Sequence, residues 1–478
     1  MKEQDQAAVI LWFRRDLRFA DHPALAAAVA GGRPVVPVFI HDETVEALGA
    51  AAKWRLGEGV AVFARALEAA GSRLVLRRGR ALEVLRALLA ETGAGAVHWT
   101  RGYDRAAIVR DREVKAALGV AGIEARSFPG AVLFEPWTVA TGQGRPYSVF
   151  TPFWRAVRAR DPGGSEPAPA RVQPPTGGWP ASDHLPDWAM GAAMNRGAAV
   201  VGRFASVGEA AARGRLDRFI GEKLVRYAED RNDPARDATS GLSEHLAWGE
   251  ISPRTVWHAG MAARAAGVAG AETFLSELGW REFAWHLLYH APEMDRRNWR
   301  TEWDGFAWRD DNDDAERWRR GMTGEPFVDA AMREMFVTGR MHNRARMVAA
   351  SYLTKHLLTD WRVGLRWFAE CLTDWDPAAN AMGWQWVAGS GPDAAPYFRI
   401  FNPRTQAEKF DAGGAYRRAF IAEGQANAPA TARAFFEAAP RRWGLAPHSA
   451  YPAPLVDLAA GRARALAAYA KRDAAAAK

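Results

Sequence analysis

The sequence predicts an α/β domain followed by a large helical domain. Short apolar runs alternate with amphipathic helical patterns through residues 8–127, a Pro- and Gly-rich stretch without periodicity occupies 161–187, and almost only helical patterns fill 205–440. Apolar strands separated by helices are typical of a parallel sheet with both faces covered. We therefore predict an α/β domain over 1–130, a linker over 131–204 and a helical domain over 205–478.

The N-terminal domain is expected to contain strands and helices in alternation. Each predicted strand is a short run rich in apolar residues, and helical periodicity fills the intervals. The strands are 8–13, 34–40, 73–78, 96–100 and 123–128, and the helices are 22–30, 52–70, 81–92 and 104–118. This order predicts a Rossmann-like parallel sheet. Neither the G-x-G-x-x-G nor the G-x-x-x-x-G-K-[ST] fingerprint of nucleotide-binding domains occurs in it.

The composition excludes several classes of protein. Cys371 is the only cysteine, which rules out a disulfide framework, a zinc finger and a four-cysteine iron–sulfur cluster. The sequence has no apolar run long enough to span a membrane and no signal-peptide pattern, so we expect a cytoplasmic protein. The net charge of +8 permits a polyanionic partner such as nucleic acid, although a solvated basic surface is the simpler explanation.

Two clusters of polar residues stand out in the first part of the helical half. TSGLS at 239–243 precedes a helical pattern, where hydroxyl groups either cap the helix or help to hold a phosphate. In the segment 274–290, helical spacing places Glu277, Trp280 and Arg281 on one face. A stacking surface is one interpretation of that face, and an ordinary ion pair between Glu277 and Arg281 is the alternative.

Two further clusters lie later in the chain. In GRMHNRARM at 339–347, Asn343 and Met347 are one helical turn apart and are expected to face one pocket. The acids of DWDPAAN at 374–380 lack the spacing of a calcium loop, so we predict no metal site there. An ion pair between Asp374 and Arg346 is the predicted alternative.

Taken in this order, the motifs resemble those of the photolyase/cryptochrome family, from about residue 8 to residue 470. Within the family they resemble bacterial class I photolyases that act on cyclobutane pyrimidine dimers. The motifs are LWFRRDLRFADHPAL (11–25), VFTPFWRA (149–156), TSGLS, GEISPR (249–254), WREF (280–283), VDAAMR (328–333), MHNR (341–344) and GWQWVAGSGPDAAPYFRIFNP (383–403).

The resemblance implies FAD, held in a folded-back shape inside the helical domain. Its phosphates would be held by Tyr227, Thr239, Ser240, Gly241, Leu242 and Ser243. The flavin and adenine would be lined by Phe274, Arg346, Asp374, Trp375 and Asp376. Asn380 would lie near flavin N5. A protein of this kind positions the flavin and tunes its electronics, while the flavin supplies the redox chemistry.

The resemblance also implies light-driven repair of DNA. Photolyases are themselves an established example of enzymes that extrude a base from the duplex. The lesion would contact Glu277, Asn343 and Met347 and would stack on Trp280 and Trp386. Backbone phosphates would be held by Arg231, Arg281 and Arg344.

The family also implies an electron relay of tryptophans. Trp384, Trp361 and Trp308 would carry electrons from the surface to photoexcited FAD, whereas Trp386 serves the lesion. In repair, excited FADH⁻ would pass an electron to the dimer, the cyclobutane ring would open, and the electron would return.

Two residues depart from the family pattern. Many relatives have Arg or Lys in place of Gly241, so this chain either weakens a phosphate contact or moves it elsewhere. Relatives of this class often have Trp or Tyr in place of Arg340, which either adds a DNA contact or marks a subgroup with altered handling of the lesion.

Three alternative functions remain open from the sequence. A cryptochrome photoreceptor shares the fold, but signalling members tend to replace the amide at Asn380. A (6-4) photoproduct photolyase typically carries His-His where this chain has His342 and Asn343. A flavin-free DNA-binding module is the third. We expect a monomer, and the sequence leaves open whether a folate, a deazaflavin, a second flavin or no antenna chromophore occupies the α/β domain.

Overall fold

The computed structural model describes residues 7–194, 197–394, 396, 397 and 399–476. Its sheet has the order β3-β2-β1-β4-β5, and every neighbouring pair is parallel. The predicted strands and fold class are confirmed, with the strand ends shifted by one or two residues. The strands are β1 (Val9–Phe13), β2 (Val35–His41), β3 (Val75–Arg78), β4 (Ala96–Thr100) and β5 (Glu124–Phe128).

Helices cover both faces of this sheet. Strands β1, β2 and β4 are buried throughout, which explains their continuous apolar sequences, whereas the edge strand β5 alternates exposed and half-buried residues. The helices of this part are α1 (Pro23–Val29), α2 (Glu43–Glu46), α3 (Ala50–Ala69), α4 (Ala81–Thr92) and α5 (Arg105–Val120).

The rest of the described chain is helical, as predicted. Short 3-10 and π turns join the α-helices. The α-helices are α6 (Phe150–Val157), α7 (Ala198–Gly202), α8 (Glu209–Arg218), α9 (Tyr227–Asp230), α10 (Ser243–Ala247), α11 (Pro253–Ala265), α12 (Ala271–His290), α13 (Asp313–Arg319), α14 (Pro326–Thr338), α15 (Asn343–Ser351), α16 (Trp361–Cys371), α17 (Pro377–Ala388), α18 (Pro403–Phe410), α19 (Ala415–Phe420), α20 (Ala430–Ala438) and α21 (Leu458–Ala476).

The predicted linker runs along the sheet and contains helices of its own. The amide of Val35 donates to the carbonyl oxygen of Gln173, and the amide of Leu76 donates to Ser182 Oγ. Helix α6 lies in the same stretch but packs on α12 of the helical domain. The domain boundaries at 130 and 204 stay predictions.

A buried arginine joins the sheet domain to the helical domain. Arg55 on α3 has a fully buried side chain, and its guanidinium donates to Glu244 at 2.8 Å and to both oxygens of Glu250 at 2.8 and 2.9 Å. His245 contacts the second carboxylate at 2.5 Å. Burial alone would raise the pKa of Glu250, but His245 and Arg55 together hold it below its usual value.

A second contact between the domains is aromatic. The guanidinium of Arg15 lies 4.6 Å from the ring centroid of Trp248 and 5.2 Å from that of Trp375, and it donates to the carbonyl oxygen of Trp375. Gly249 lies against the backbone of Arg15, where a Cβ would stand only 2.1 Å from the Arg15 carbonyl oxygen. This close approach requires glycine at 249.

We expect Arg55→Ala to lower the free energy of unfolding by about 3–5 kcal/mol, because it leaves two buried carboxylates without their cation. Urea denaturation measures the change. The control is Arg203→Ala, which removes a 2.6 Å ion pair whose side chains are 54% and 49% exposed, and it should cost at most about 1 kcal/mol. Equal losses in the two variants would contradict the structural role of Arg55.

Candidate flavin and DNA site

Helix α12 carries four of the predicted site residues, and at helical spacing they share one side of the helix, but their side chains have different partners. Phe274 is buried and packs edge-on against Tyr227, with ring centroids 6.1 Å apart. Glu277 and Arg281 do not pair with each other. Both carboxylate oxygens of Glu277 instead accept from Arg231, at 2.6 Å each. Burial alone would lower the pKa of Arg231, and Glu277 raises it above the ordinary value.

Trp280 lies at the end of a stack of aromatic rings. Its indole lies parallel to the ring of Phe150, with centroids 3.7 Å apart and planes 10° apart. Phe150 in turn lies parallel to Trp154 at 6.2 Å. A Cβ at Gly279 would stand 2.6 Å from Trp154, so glycine lets this stack approach α12. One face of Trp280 is therefore covered, and its half-buried side chain can offer only the other face to a ligand.

Arg281 turns toward the interior. Its guanidinium donates to Glu282 and to the carbonyl oxygen of Ala131, at 2.9 Å each, and only 15% of the side chain is exposed. Burial raises the pKa of Glu282 to about 7, although Arg281 opposes the shift. The contact of Arg281 with DNA stays a prediction, and this placement does not favour it.

The N-terminus of α15 is tied to the Glu277–Arg231 pair. His342 caps the helix, because its Nδ1 accepts from the amide of Arg344 at 3.1 Å. Its Nε2 lies 3.1 Å from the carbonyl oxygen of Arg231 and therefore carries the proton that it donates there. Burial lowers the pKa of His342 to about 4, which fits this neutral tautomer. Asn343, the next residue, is exposed beside the pair.

The sequence analysis missed Glu334 and Tyr416, which hold the same turn from behind. Glu334 Oε2 accepts from the amide of His342 at 3.1 Å and from the hydroxyl of Tyr416 at 2.6 Å. Burial raises the pKa of Glu334 to about 7. No local pattern pointed to these residues, since the three groups come from separate elements.

Asp374 lies at the centre of the predicted cofactor residues. Its Oδ2 accepts from Arg346 at 2.7 Å and from Ser243 Oγ at 2.8 Å, so the predicted ion pair with Arg346 is present. Its Oδ1 is buried and has no hydrogen-bond partner among the described residues. That oxygen needs a further donor. The amine and hydroxyl groups of a flavin dinucleotide would fit it.

The predicted phosphate loop precedes α10. Thr239 and Ser240 are half-exposed and Ser243 is exposed, so their hydroxyl groups can meet a ligand, whereas Leu242 is buried in the core. Nearby, burial raises the pKa of Tyr227 to about 12, so it stays a neutral hydroxyl group. The arrangement supplies donors for an anion without a carboxylate in the loop itself.

Helix α17 places Asp376 and Asn380 at a cavity of about 430 Å³ between the domains. Asp376 caps the helix through its Oδ1 and accepts from Trp285 Nε1 at 3.0 Å. The side chain of Asn380 donates to the carbonyl oxygen of Leu365 at 3.1 Å. Other residues that line the cavity are Arg14, Asp42, Thr100, Tyr103, Arg281 and Trp375.

The predicted relay tryptophans run from the core to the surface. Trp384 and Trp361 are 2% and 0% exposed, and Trp308 is partly exposed. A Cβ at Gly364 would stand 2.0 Å from the Trp384 ring. Because Trp361 lies one turn before Gly364 on α16, these two indoles occupy the same side of that helix. Trp384 follows Asn380 by one turn on α17, and the relay itself stays a prediction.

The last predicted contacts of the lesion are accessible. Trp386 and Met347 are half-buried, and Arg344 donates to Asn232 at 2.6 Å and lies over the ring of Phe410 at 4.4 Å. The described residues contain no group of three or more His, Cys, Asp or Glu side chains suited to a metal, and no described helix is long and apolar enough to cross a membrane.

His342 provides a prediction about pH. Its folded pKa of about 4 is below the ordinary 6.5, so it contributes stability at neutral pH that is lost as the pH falls toward 4. His342→Asn preserves a helix cap but cannot titrate, so its thermal unfolding midpoint should fall less between about pH 7 and pH 5. His184→Asn, at a side chain 74% exposed, is the control. Parallel curves for all three proteins would exclude this role of His342.

Two family models match the chain. Residues 9–174 match DNA photolyase, and residues 274–471 match the FAD binding domain of DNA photolyase. Together these matches contain both the sheet and the helices that carry most of the site.

Photolyases resemble this chain along nearly its whole length, both in sequence and in structure. A deoxyribodipyrimidine photo-lyase of Agrobacterium fabrum is 46% identical over 97% of this chain and 98% of its own. The crystal structure of a class III photolyase from Agrobacterium tumefaciens superimposes with a TM-score of 0.89 at 45% identity and covers 98% of both chains.

A third similarity concerns cofactors. An archaeal photolyase from Sulfolobus tokodaii, solved with two FAD molecules, superimposes with a TM-score of 0.78 at 26% identity and covers 97% of this chain and 100% of its own. Because a class III structure is among the relatives, the class I subgroup stays a prediction. The architecture, the site and these matches together show that the chain belongs to the photolyase/cryptochrome family and contains its FAD-binding domain.

Proposed function

We propose that this protein is a DNA photolyase that uses light to split cyclobutane pyrimidine dimers. The observation that carries the proposal is that Arg231 contacts both Glu277 and His342. These contacts join the Glu277 carboxylate on α12 to the N-terminus of α15, where Asn343 is exposed. A carboxylate accepts and an amide both donates and accepts, which matches the polar edges of pyrimidines. The relative named deoxyribodipyrimidine photo-lyase supports the same substrate.

The lesion would be bound between aromatic and apolar surfaces. Trp280 presents one free face, fixed by Phe150 behind it. Trp386 and Met347 supply a second aromatic side chain and an adaptable apolar one. A side chain that packing already fixes loses less conformational entropy when a ligand binds. Because Phe150 fixes Trp280, the stack favours binding of an extruded base.

DNA phosphates would be bound by Arg231 and Arg344. Burial and the charge of Arg231 lower the pKa of Arg344, so two cations lie close together. Because Arg231 is already paired with Glu277, the positive charge left for a phosphate is that of Arg344, which donates to the neutral Asn232. The net charge of +8 supports the same interaction at longer range.

FAD would be bound by the loop and by the Asp374 cluster. Thr239, Ser240, Gly241, Leu242 and Ser243 supply hydroxyl and amide groups for its phosphates, beside Tyr227 and Phe274. Asp374 and Arg346, together with Trp375, Asp376 and Asn380, line the ring systems. When bound, reduced FAD supplies the light-excited electron that opens the dimer. The protein positions the cofactor and excludes water from the buried side of the site.

The relay would deliver electrons from Trp308 at the surface through Trp361 to Trp384. Trp361 and Trp384 are buried and Trp308 is partly exposed, which fits a path between solvent and a protected interior. We also propose that the protein acts as a monomer in the cytoplasm, where its DNA substrate lies. A second, antenna chromophore is part of the proposal, and a solved relative with two FAD molecules supports it.

Repair of a dimer-containing oligonucleotide by the purified, FAD-loaded protein under blue light tests the function. We expect the dimers to be split in light and to persist in the dark, and a (6-4) photoproduct to persist in both. Light-dependent flavin reduction without repair of the dimer would instead indicate a cryptochrome. Repair of the (6-4) photoproduct alone would reassign the substrate.

Trp280→Ala should weaken binding to dimer-containing DNA by about 1–3 kcal/mol, the range for stacking of a base on an aromatic side chain, and should affect undamaged DNA much less. Trp137→Ala is the control, because that tryptophan is 48% exposed on another part of the surface. Titration of both DNAs measures the difference. Equal losses on damaged and undamaged DNA would return Trp280 to a purely structural role.

Trp384→Phe keeps the ring but removes the easily oxidised indole. Illumination with an external reductant should no longer reduce the flavin efficiently, whereas protein reduced chemically beforehand should still repair dimers. Flavin absorbance and a repair assay measure the two activities. Trp386→Phe should show the opposite pattern, and Trp257→Phe, a buried tryptophan that packs on Trp154, should photoreduce like the parent. Normal photoreduction in Trp384→Phe would refute the relay assignment.

A further inference from the structure

Arg215 on α8 reaches the phosphate loop from a different part of the chain. Its Nη1 donates to the carbonyl oxygen of Gly241 at 3.2 Å. Gly241 has φ +63°, in the left-handed region, and a Cβ there would stand 2.6 Å from Arg215 Nη1. Glycine at 241 therefore serves two needs, the backbone conformation and the space that the guanidinium occupies.

The guanidinium of Arg215 lacks a carboxylate partner. Among the described residues its hydrogen bond goes to a carbonyl oxygen, and Arg340 likewise donates to the carbonyl oxygen of Phe204 at 3.1 Å. Burial, and then the charge of Arg340, lower the pKa of Arg215. Two guanidinium groups near each other in a half-buried place are unfavourable unless an anion joins them.

The carboxylates in this neighbourhood are already engaged. Glu244 and Asp237 raise the pKa of Arg215, but Glu244 accepts from Arg55 at 2.8 Å and Asp237 accepts from Lys223 at 2.5 Å. They therefore reduce the repulsion without neutralising the site. Arg218, which is exposed one turn later on α8, adds a further positive charge.

We propose that Arg215 binds the diphosphate of FAD and so supplies from α8 the cation that position 241 does not. The hydrogen bonds of the loop support this proposal. Two residues after Gly241, Ser243 donates to Asp374, which pairs with Arg346 in the cofactor cluster. The cationic site is thus continuous with the predicted flavin residues, and the half-exposed hydroxyl groups of Thr239 and Ser240 complete it.

A DNA phosphate is the other source of the same anion chemistry. The arginines that we assign to DNA are held elsewhere, Arg231 by Glu277 and Arg344 by Asn232. Neither contacts the loop at 239–243. The assignment to FAD rests on the FAD-binding part of the proposed function and is independent of DNA repair.

The test is titration of FAD into apoprotein, followed by flavin fluorescence, for the parent and two variants. Arg215→Ala removes the charge and the bond to Gly241. Arg215→Gln removes the charge but keeps an N–H donor for the Gly241 carbonyl oxygen. We expect both variants to raise the Kd for FAD by about 10- to 100-fold, as for loss of a hydrogen bond to a charged group. FAD binding should also depend less on salt in both. Arg213→Ala, on the same helix but paired with Glu209 at 3.3 Å, should leave the Kd unchanged.

Three results would overturn the proposal. Parent-like affinity in Arg215→Gln would mean that Arg215 only positions the loop, and it would decide the matter even if Arg215→Ala failed to fold. Parent-like FAD affinity in both variants, with a salt slope for undamaged DNA reduced by about one, would make Arg215 a DNA contact. Unchanged binding of both ligands would leave it a surface residue. Failure of the parent to bind FAD would refute the cofactor assignment itself.

Discussion

The ion pairs of Arg55 with Glu244 and Glu250 are the constraint on which the site depends. They are wholly buried, and an arginine in such a place is tolerated only when its charge is fully matched. Glu244 directly follows Ser243, the last residue of the phosphate loop, so the sheet domain fixes the loop through α3. The proposed cofactor site therefore depends on how the two domains dock, although nearly all of its residues lie in the helical one.

The polar side chains of the site already have partners within the protein. Asp374 is held by Arg346 and Ser243, Glu277 by Arg231, and His342 by Arg231 and Arg344. Each side chain is therefore fixed before a ligand arrives, which reduces the entropy lost on binding. In the part of the site that the structure describes, two groups still lack a matching partner. A buried carboxylate oxygen of Asp374 requires a hydrogen-bond donor, and the guanidinium of Arg215 favours an anion.

The many tryptophans of this chain divide by environment. Trp12, Trp99, Trp248 and Trp257 are buried in the cores, where a large apolar surface stabilises the fold. Trp384 is equally buried but lies against Gly364, which follows Trp361 by one turn on α16. On its own helix, Trp384 follows Asn380 by one turn. Trp280 and Trp386 keep part of their surface accessible. Burial alone therefore does not distinguish a core tryptophan from the tryptophans proposed for the relay.

The sequence by itself determined the strands, the division into a sheet domain and a helical domain, and the family, because apolar periodicity and contiguous motifs are local properties of the chain. It also predicted the Asp374–Arg346 pair. Only the tertiary structure decided that Glu277 pairs with Arg231 and not Arg281, that Arg281 turns inward, that Phe150 supports Trp280, and that Arg215 fills the space beside Gly241. Those contacts join residues far apart in the sequence. Their geometry depends on how helices cross and how the domains dock, and neither leaves a periodic signal in the chain.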